Sequence, residues 1–204
     1  MLKTMMEEDD EDEFELVGHS GPVFAVSISV CDKHLISGSY DNTIRRWSLQ
    51  TKGPLMVYNG HAGSIWTLKF APLGGYFASG SADRTALLWV MKNSQPIRVF
   101  SSKGGHLGDI ESLEFHPNMH YIATGSSDKQ VILWEVETGL QVRQFQTLPG
   151  TIRSMKFNRG GQYLYTGNDN GQLVIFDIDR GVPIEVVESN QSRAIWSIDF
   201  SWDD

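Results

Sequence analysis

The stretch GHAGSIWTLKFAPLGGYFASGSADRTALLW, residues 60–89, decides the fold. It opens on Gly60-His61 and closes on Trp89, with Ser79 and Asp83 between them. His61, Ser79, Asp83 and Trp89 are separated by 18, 4 and 6 residues. The same offsets recur upstream as His19, Ser37, Asp41 and Trp47, and downstream as His106, Thr124, Asp128 and Trp134. The period is 42 residues and then 45. The three extra residues fall in the Ser101-Ser102-Lys103-Gly104-Gly105 stretch, which reads as a lengthened loop. Self-similarity at such a period is the signature of a repeat architecture. A degenerate fourth copy places Leu148, Thr166, Asn170 and Phe176 in the same frame. A fifth begins near Ser189 and stops at Asp204 after one expected strand.

Within each repeat the pattern is β. The first strands stack as Val23-Phe24-Ala25-Val26-Ser27-Ile28, Ile65-Trp66-Thr67-Leu68-Lys69-Phe70 and Ile110-Glu111-Ser112-Leu113-Glu114-Phe115. Ile152-Arg153-Ser154-Met155-Lys156-Phe157 and Ile195-Trp196-Ser197-Ile198-Asp199-Phe200 follow. The first, fourth and sixth columns are apolar, the third is small, and the second varies freely. Turns rich in Pro, Gly, Asn and Asp follow, such as Pro72-Leu73-Gly74-Gly75. A second strand ends in Ser-Gly or Thr-Gly, a tight turn carries the Asp, and a third strand ends at the Trp. A shorter polar strand returns, as in Leu55-Met56-Val57-Tyr58. Four antiparallel strands per ~42 residues make one blade of a β-propeller. The expected fold is all-β: four blades and a partial fifth, over residues 14–51, 56–93, 101–138, 143–180 and 185–204. About 17–18 strands and no helix of useful length are expected.

Gly18-His19, Gly60-His61 and Gly105-His106 opening the repeats, with Trp47, Trp89 and Trp134 closing them, resemble the WD-repeat family. The closing dipeptides depart from Trp-Asp: they are Trp47-Ser48, Trp89-Val90, Trp134-Glu135 and Phe176-Asp177. Ser48-Leu49-Gln50-Thr51, Gln95-Pro96-Ile97-Arg98-Val99-Phe100 leading into Gly105-His106-Leu107, Phe115-His116-Pro117-Asn118 and Tyr121-Ile122-Ala123-Thr124-Gly125-Ser126 narrow the resemblance. Together they look like the WD-repeat, TBP-associated subunits of TFIID and their paralogues in SAGA-type complexes. That resemblance implies a non-enzymatic nuclear scaffold in RNA polymerase II initiation. Its expected partners are histone-fold or other TBP-associated subunits. It also implies seven blades, closed by the strand Phe14-Glu15-Leu16-Val17, so this chain is expected to be an open part of such a ring. An open arc leaves two bare edges, the apolar face at Val23 and the strand ending at Phe200. A generic WD-repeat adaptor, such as a ubiquitin-ligase substrate receptor, is the alternative. Such receptors show Trp-Asp-x-Arg, whereas Phe176-Asp177-Ile178-Asp179-Arg180 has its Arg one place late.

Composition narrows the function classes. The 204 residues are 40% hydrophobic and carry a net charge of −8. Residues 1–15 hold eight acids and one base, Lys3, so the remaining 189 sum to −1. A nearly neutral body lacks the basic excess that phosphate-backbone binding needs, and no direct nucleic-acid contact is expected. Residues 1–13 read as an acidic, disordered tail that could meet a basic partner surface. One cysteine, Cys31, excludes an internal disulfide. No apolar signal segment or membrane-length run is present, so neither secretion nor a membrane span is expected.

His, Ser or Thr, and Asp at repeated spacing invite comparison with a hydrolase triad. A constellation that recurs in every repeat belongs to the fold, and catalysis also needs an exposed nucleophile and an oxyanion hole. The resemblance implies a structural relay instead: the Trp indole to the hydroxyl, the hydroxyl to the His, the His to the Asp. The fourth repeat, with Leu148, Asn170 and Phe176, changes three of the four together and leaves only Thr166, as a structural role predicts. His116 and His120 are four apart, but Pro117 and Asn118 make a turn between them, so no zinc site, other metal or cofactor is expected. The candidate partner-binding residues are those of the variable second column, Phe24, Trp66, Glu111, Arg153 and Trp196, together with Tyr40 before the first turn Asp. By resemblance they face the top of the propeller, and such types are enriched in binding hot spots.

Overall fold

The computed structural model describes residues 14–101, 104–145, 148–188 and 193–201. Among them sixteen strands form four separate four-stranded antiparallel sheets, each in sequential order. The first blade holds β1 (Val23–Ile28), β2 (His34–Ser39), β3 (Thr43–Ser48) and β4 (Gly53–Asn59). The second holds β5 (Ile65–Phe70), β6 (Tyr76–Ser81), β7 (Ala86–Val90) and β8 (Arg98–Phe100). The third holds β9 (Ile110–Phe115), β10 (Tyr121–Ser126), β11 (Val131–Glu135) and β12 (Gln141–Gln144). The fourth holds β13 (Ile152–Phe157), β14 (Tyr163–Asn168), β15 (Gln172–Asp177) and β16 (Val182–Glu188). The acidic tail, Ser102-Lys103, Ser189 and Trp202-Asp203-Asp204 lie outside the described residues.

Blades join through three repeated contacts. The first joins a second-strand glycine to the first residue of the next blade. A Cβ on Gly38 would stand 2.5 Å from Ile65 Cγ2, one on Gly80 2.5 Å from Ile110 Cγ2, and one on Gly125 2.6 Å from Ile152 Cγ2. Real Cβ atoms do not approach so closely, so glycine is what seats the isoleucine. The second contact uses an aromatic on the outer strand or, for Phe145, directly after it. Tyr58 packs edge-on to Trp89 at 5.7 Å, Phe100 tilts on Trp134 at 6.1 Å, and Phe145 on Phe176 at 4.9 Å. Each of these aromatics is fully buried, which stabilises its joint by about 1.5–3 kcal/mol. The third is a hydroxyl from the small column. Ser112 donates to the Ile152 carbonyl (3.0 Å) and Ser154 to the Ile195 carbonyl (2.8 Å).

The fifth column adds charge. Lys69 pairs with Glu114 (3.2 Å), Glu114 with Lys156 (3.5 Å) and Lys156 with Asp199 (3.5 Å), so the sign alternates from blade to blade.

The sheets do not close into a ring. In β1, Val23, Val26 and Ile28 are 47, 63 and 53% exposed, while the matching Ile65, Leu68 and Phe70 are 0, 3 and 9% exposed. The difference is the presence of a preceding blade. At the other end, Val187, which takes the place of Tyr58, is also exposed. Residues 195–200, expected to be a strand, lie against the fourth blade without strand pairing. A strand needs a ladder partner, and no described strand supplies one. Residues 14–17, which the resemblance made a closing strand, likewise carry no strand pairing. Phe14 instead lies under the Lys52 ammonium at 5.1 Å.

Candidate functional site

The polar relay comes together in the first three blades. Trp47 Nε1 donates to Ser37 Oγ (2.8 Å), Ser37 meets His19 Nε2 (2.7 Å), and His19 Nδ1 donates to Asp41 Oδ2 (2.9 Å). In the second blade Trp89, Ser79, His61 and Asp83 repeat it at 2.8, 2.7 and 2.7 Å. In the third, Trp134, Thr124, His106 and Asp128 do so at 2.7, 2.8 and 3.0 Å. Each carboxylate also accepts a loop N–H, from Ser20, Ala62 or Leu107. The N–H two residues on, of Thr43, Thr85 or Gln130, donates to its other oxygen. Burial pushes these carboxyls up, but the donors outweigh it and hold Asp41, Asp83 and Asp128 below the ordinary aspartate value. Ser37, Ser79 and Thr124 are buried with their oxygens engaged, so no substrate reaches these hydroxyls.

The relay also holds a strained turn. Asn42, Arg84 and Lys129 follow the Asp in the left-handed region, with φ of 66, 71 and 70°. That conformation costs a non-glycine residue about 1–2 kcal/mol. In the fourth blade the residue is Gly171, at φ 79°, and the carboxylate is replaced by exposed Asn170. Leu148 and Phe176 are buried there, and the Thr166 hydroxyl donates to the Val174 carbonyl (3.1 Å). Strain and brace disappear together.

His116 is an inter-blade strut: Nε2 bonds the Gly161 carbonyl (2.9 Å) and Nδ1 accepts the Asn118 N–H (3.2 Å). Both ring nitrogens are thereby used. Among the described residues no group of His, Cys, Asp or Glu is arranged to hold a metal ion. Nor is any helix long and apolar enough to cross a membrane.

The variable second column has a structural cause. Strand register shifts between Val23 and Ala25, Ile65 and Thr67, and Ile152 and Ser154, and the third blade shifts between Gly125 and Ser126 opposite Glu111. Phe24, Trp66, Glu111 and Arg153 are therefore the extra residues of β-bulges, which re-aim side chains out of the ladder. They line a cavity of about 620 Å³ where the inner strands converge, and Trp196 joins them. Phe24 packs on Trp66 (4.6 Å between ring centroids) and meets Tyr40 edge-on (6.5 Å). Arg153 pairs with Glu111 (2.9 Å) and lies over the Trp196 ring (5.2 Å). Five of the six candidate residues thus line one mouth in two contact groups, and Tyr40 joins from outside the lining through Phe24. Sequence reasoning missed Asp109, which accepts the Trp66 indole N–H at 3.1 Å. Its signal was an acid directly before the first strand, where the other repeats have Pro22, Ser64, Thr151 and Ala194.

Comparison with known proteins agrees with this geometry. A stretch of 56 residues is 39% identical to the SAGA complex/transcription factor TFIID complex subunit Taf5 of Schizosaccharomyces pombe, covering 28% of this chain and 9% of that protein. A 60-residue stretch is 42% identical to Transcription initiation factor TFIID subunit 5 of Encephalitozoon cuniculi, covering 28% of this chain and 11% of that protein. The matched segment thus spans about a tenth of each relative's length. The family described as WD domain, G-beta repeat matches residues 11–48, 52–90, 94–135 and 142–177. With that coverage and the relay in three of its four blades, the chain belongs to the WD domain, G-beta repeat family.

Proposed function

We propose that this chain is a non-enzymatic scaffold of a TFIID- or SAGA-like complex, acting in the nucleus in RNA polymerase II initiation. Its mouth, lined by Phe24, Trp66, Glu111, Arg153 and Trp196 with Tyr40 against Phe24, docks protein partners, with histone-fold or other TBP-associated subunits as the first candidates. The single observation that carries the docking role is the placement of four of these side chains, Phe24, Trp66, Glu111 and Arg153, on bulges. There they contribute to no ladder, so their identity is free to serve a partner. Trp196 is 71% and Tyr40 60% exposed, and exposed aromatics grouped at a cavity mark contact sites. The transcriptional assignment is supported by the likeness to the two TFIID subunits. Affinity purification of the tagged chain with mass spectrometry tests both parts. Recovery of TBP-associated subunits from wild type, and their loss from Trp196→Ala with unchanged melting, is the expected outcome. Recovery of ubiquitin-ligase components instead would overturn the assignment.

A further inference from the structure

We propose that the Phe24–Trp66–Asp109 side of the mouth receives a lysine or arginine side chain from a basic segment of a partner protein. The inference rests on the mouth being a partner face and names the chemistry of that partner.

The opposite side of the same mouth already shows how it holds a cation. The Arg153 guanidinium sits between the Glu111 carboxylate (2.9 Å) and the Trp196 ring (5.2 Å). A carboxylate beside an aromatic face is the arrangement that favours a cation twice, by charge-assisted hydrogen bonding and by the ring quadrupole. The Phe24 side repeats it. Trp66 and Phe24 form an aromatic wall that Tyr40 extends, and the indole N–H fixes Asp109 at its edge. Only Oδ2 of Asp109 is used by that bond, and no ion pair reaches Asp109 from the described residues.

Charge points the same way. Two bases line the cavity, Arg153, which Glu111 holds, and Lys69, which Glu114 holds (3.2 Å), while Asp109 and Asp169 stand near enough to Glu111 for their charges to act on it. Burial pushes the Glu111 carboxyl up against the pull of Arg153, and the Asp109 and Asp169 charges add to that push. A negative, partly desolvated mouth repels a phosphate backbone and attracts a cation. The three carboxylates do not converge into a group that holds a metal ion, so an organic cation fits where a divalent one does not. A cavity of about 620 Å³ has room for an extended side chain and its flanking backbone.

The test uses the whole 204-residue chain and the labelled peptides acetyl-(Gly-Arg)4-amide, acetyl-(Gly-Lys)4-amide and acetyl-(Gly-Gln)4-amide, read by fluorescence anisotropy. Both basic peptides should bind, the neutral one should not, and affinity should fall with salt. Asp109→Asn, which keeps the shape, should weaken binding at least ~10-fold, and Trp66→Leu comparably. A variant with Glu7→Gln, Glu8→Gln and Asp9→Asn should bind as wild type. Equal binding of the neutral peptide, or loss in the tail variant with retention in Asp109→Asn, would overturn the proposal. If Trp196→Ala loses cellular partners while Asp109→Asn leaves the basic peptides bound, the docking face stands and the basic ligand falls. If Asp109→Asn releases the peptides but no mouth variant changes the partners, the docking role falls instead.

Discussion

Ile195 rests on Gly167 as Ile65 rests on Gly38: a Cβ added to Gly167 would stand 2.6 Å from Ile195 Cγ2. The Ile195 N–H also donates to the Asn168 carbonyl (3.0 Å). The fifth repeat therefore docks by its first residue even though it makes no strand. Gly80→Val, deep between two complete blades, should destabilise by about 1–3 kcal/mol in chemical denaturation. Gly167→Val should cost less, because residues 195–200 can lift away. Hydrogen exchange at Ile195 should accelerate in that variant while Ile152 stays protected.

The relay should be worth more than any surface ion pair. Asp83→Ala strips a buried His, a hydroxyl and two N–H groups of their acceptor, and should destabilise by about 2–4 kcal/mol. A change below ~0.5 kcal/mol, as at ordinary surface sites, would contradict the buried relay.

The fourth blade suggests a rescue. Arg84→Gly removes the left-handed strain at φ 71° and should recover about 1 kcal/mol in the Asp83→Ala background. Equal effects in the Asp83→Ala background and at Asn93, an exposed turn residue, would show that strain and brace are unconnected.

Stability should also fall in acid with a defined sign. The Asp41, Asp83 and Asp128 carboxyls are lowered in the folded chain, so their contribution is fully present above the ordinary aspartate value of about 3.9. It is lost as pH drops below that toward the lowered folded values. Melting temperature against pH should therefore steepen below about pH 4, and Asp83→Asn should flatten part of that slope.

One column gives opposite results at two addresses. Leu68 is 3% exposed and Val26, its counterpart in β1, is 63% exposed. Leu68→Asp should cost at least ~4 kcal/mol by burying an unpaired charge, and Val26→Asp should cost under ~1 kcal/mol. Comparable losses in thermal melts would mean that the β1 face is covered.

The blades were legible because fixed offsets repeat, and each repeat states the same strand pattern. The relay was legible for the same reason, down to its loss in the fourth copy. The second column could be seen to vary, but its cause could not: a bulge is a property of register between two strands. Asp109 escaped because its position, directly before the first strand, holds a different residue type in every repeat. The strand expected at residues 195–200 fails because its sequence carries the pattern while its ladder partner lies in no described strand.

The alternation of Lys69, Glu114, Lys156 and Asp199 acts as an address label. Tandem repeats this similar are prone to pairing out of turn during folding, since every seat accepts every isoleucine. Skipping one blade would set Lys69 beside Lys156, or Glu114 beside Asp199, and like charges at a joint are penalised. The hydrophobic contacts say only that one blade follows another; the signs of four side chains reject the pairing that skips one.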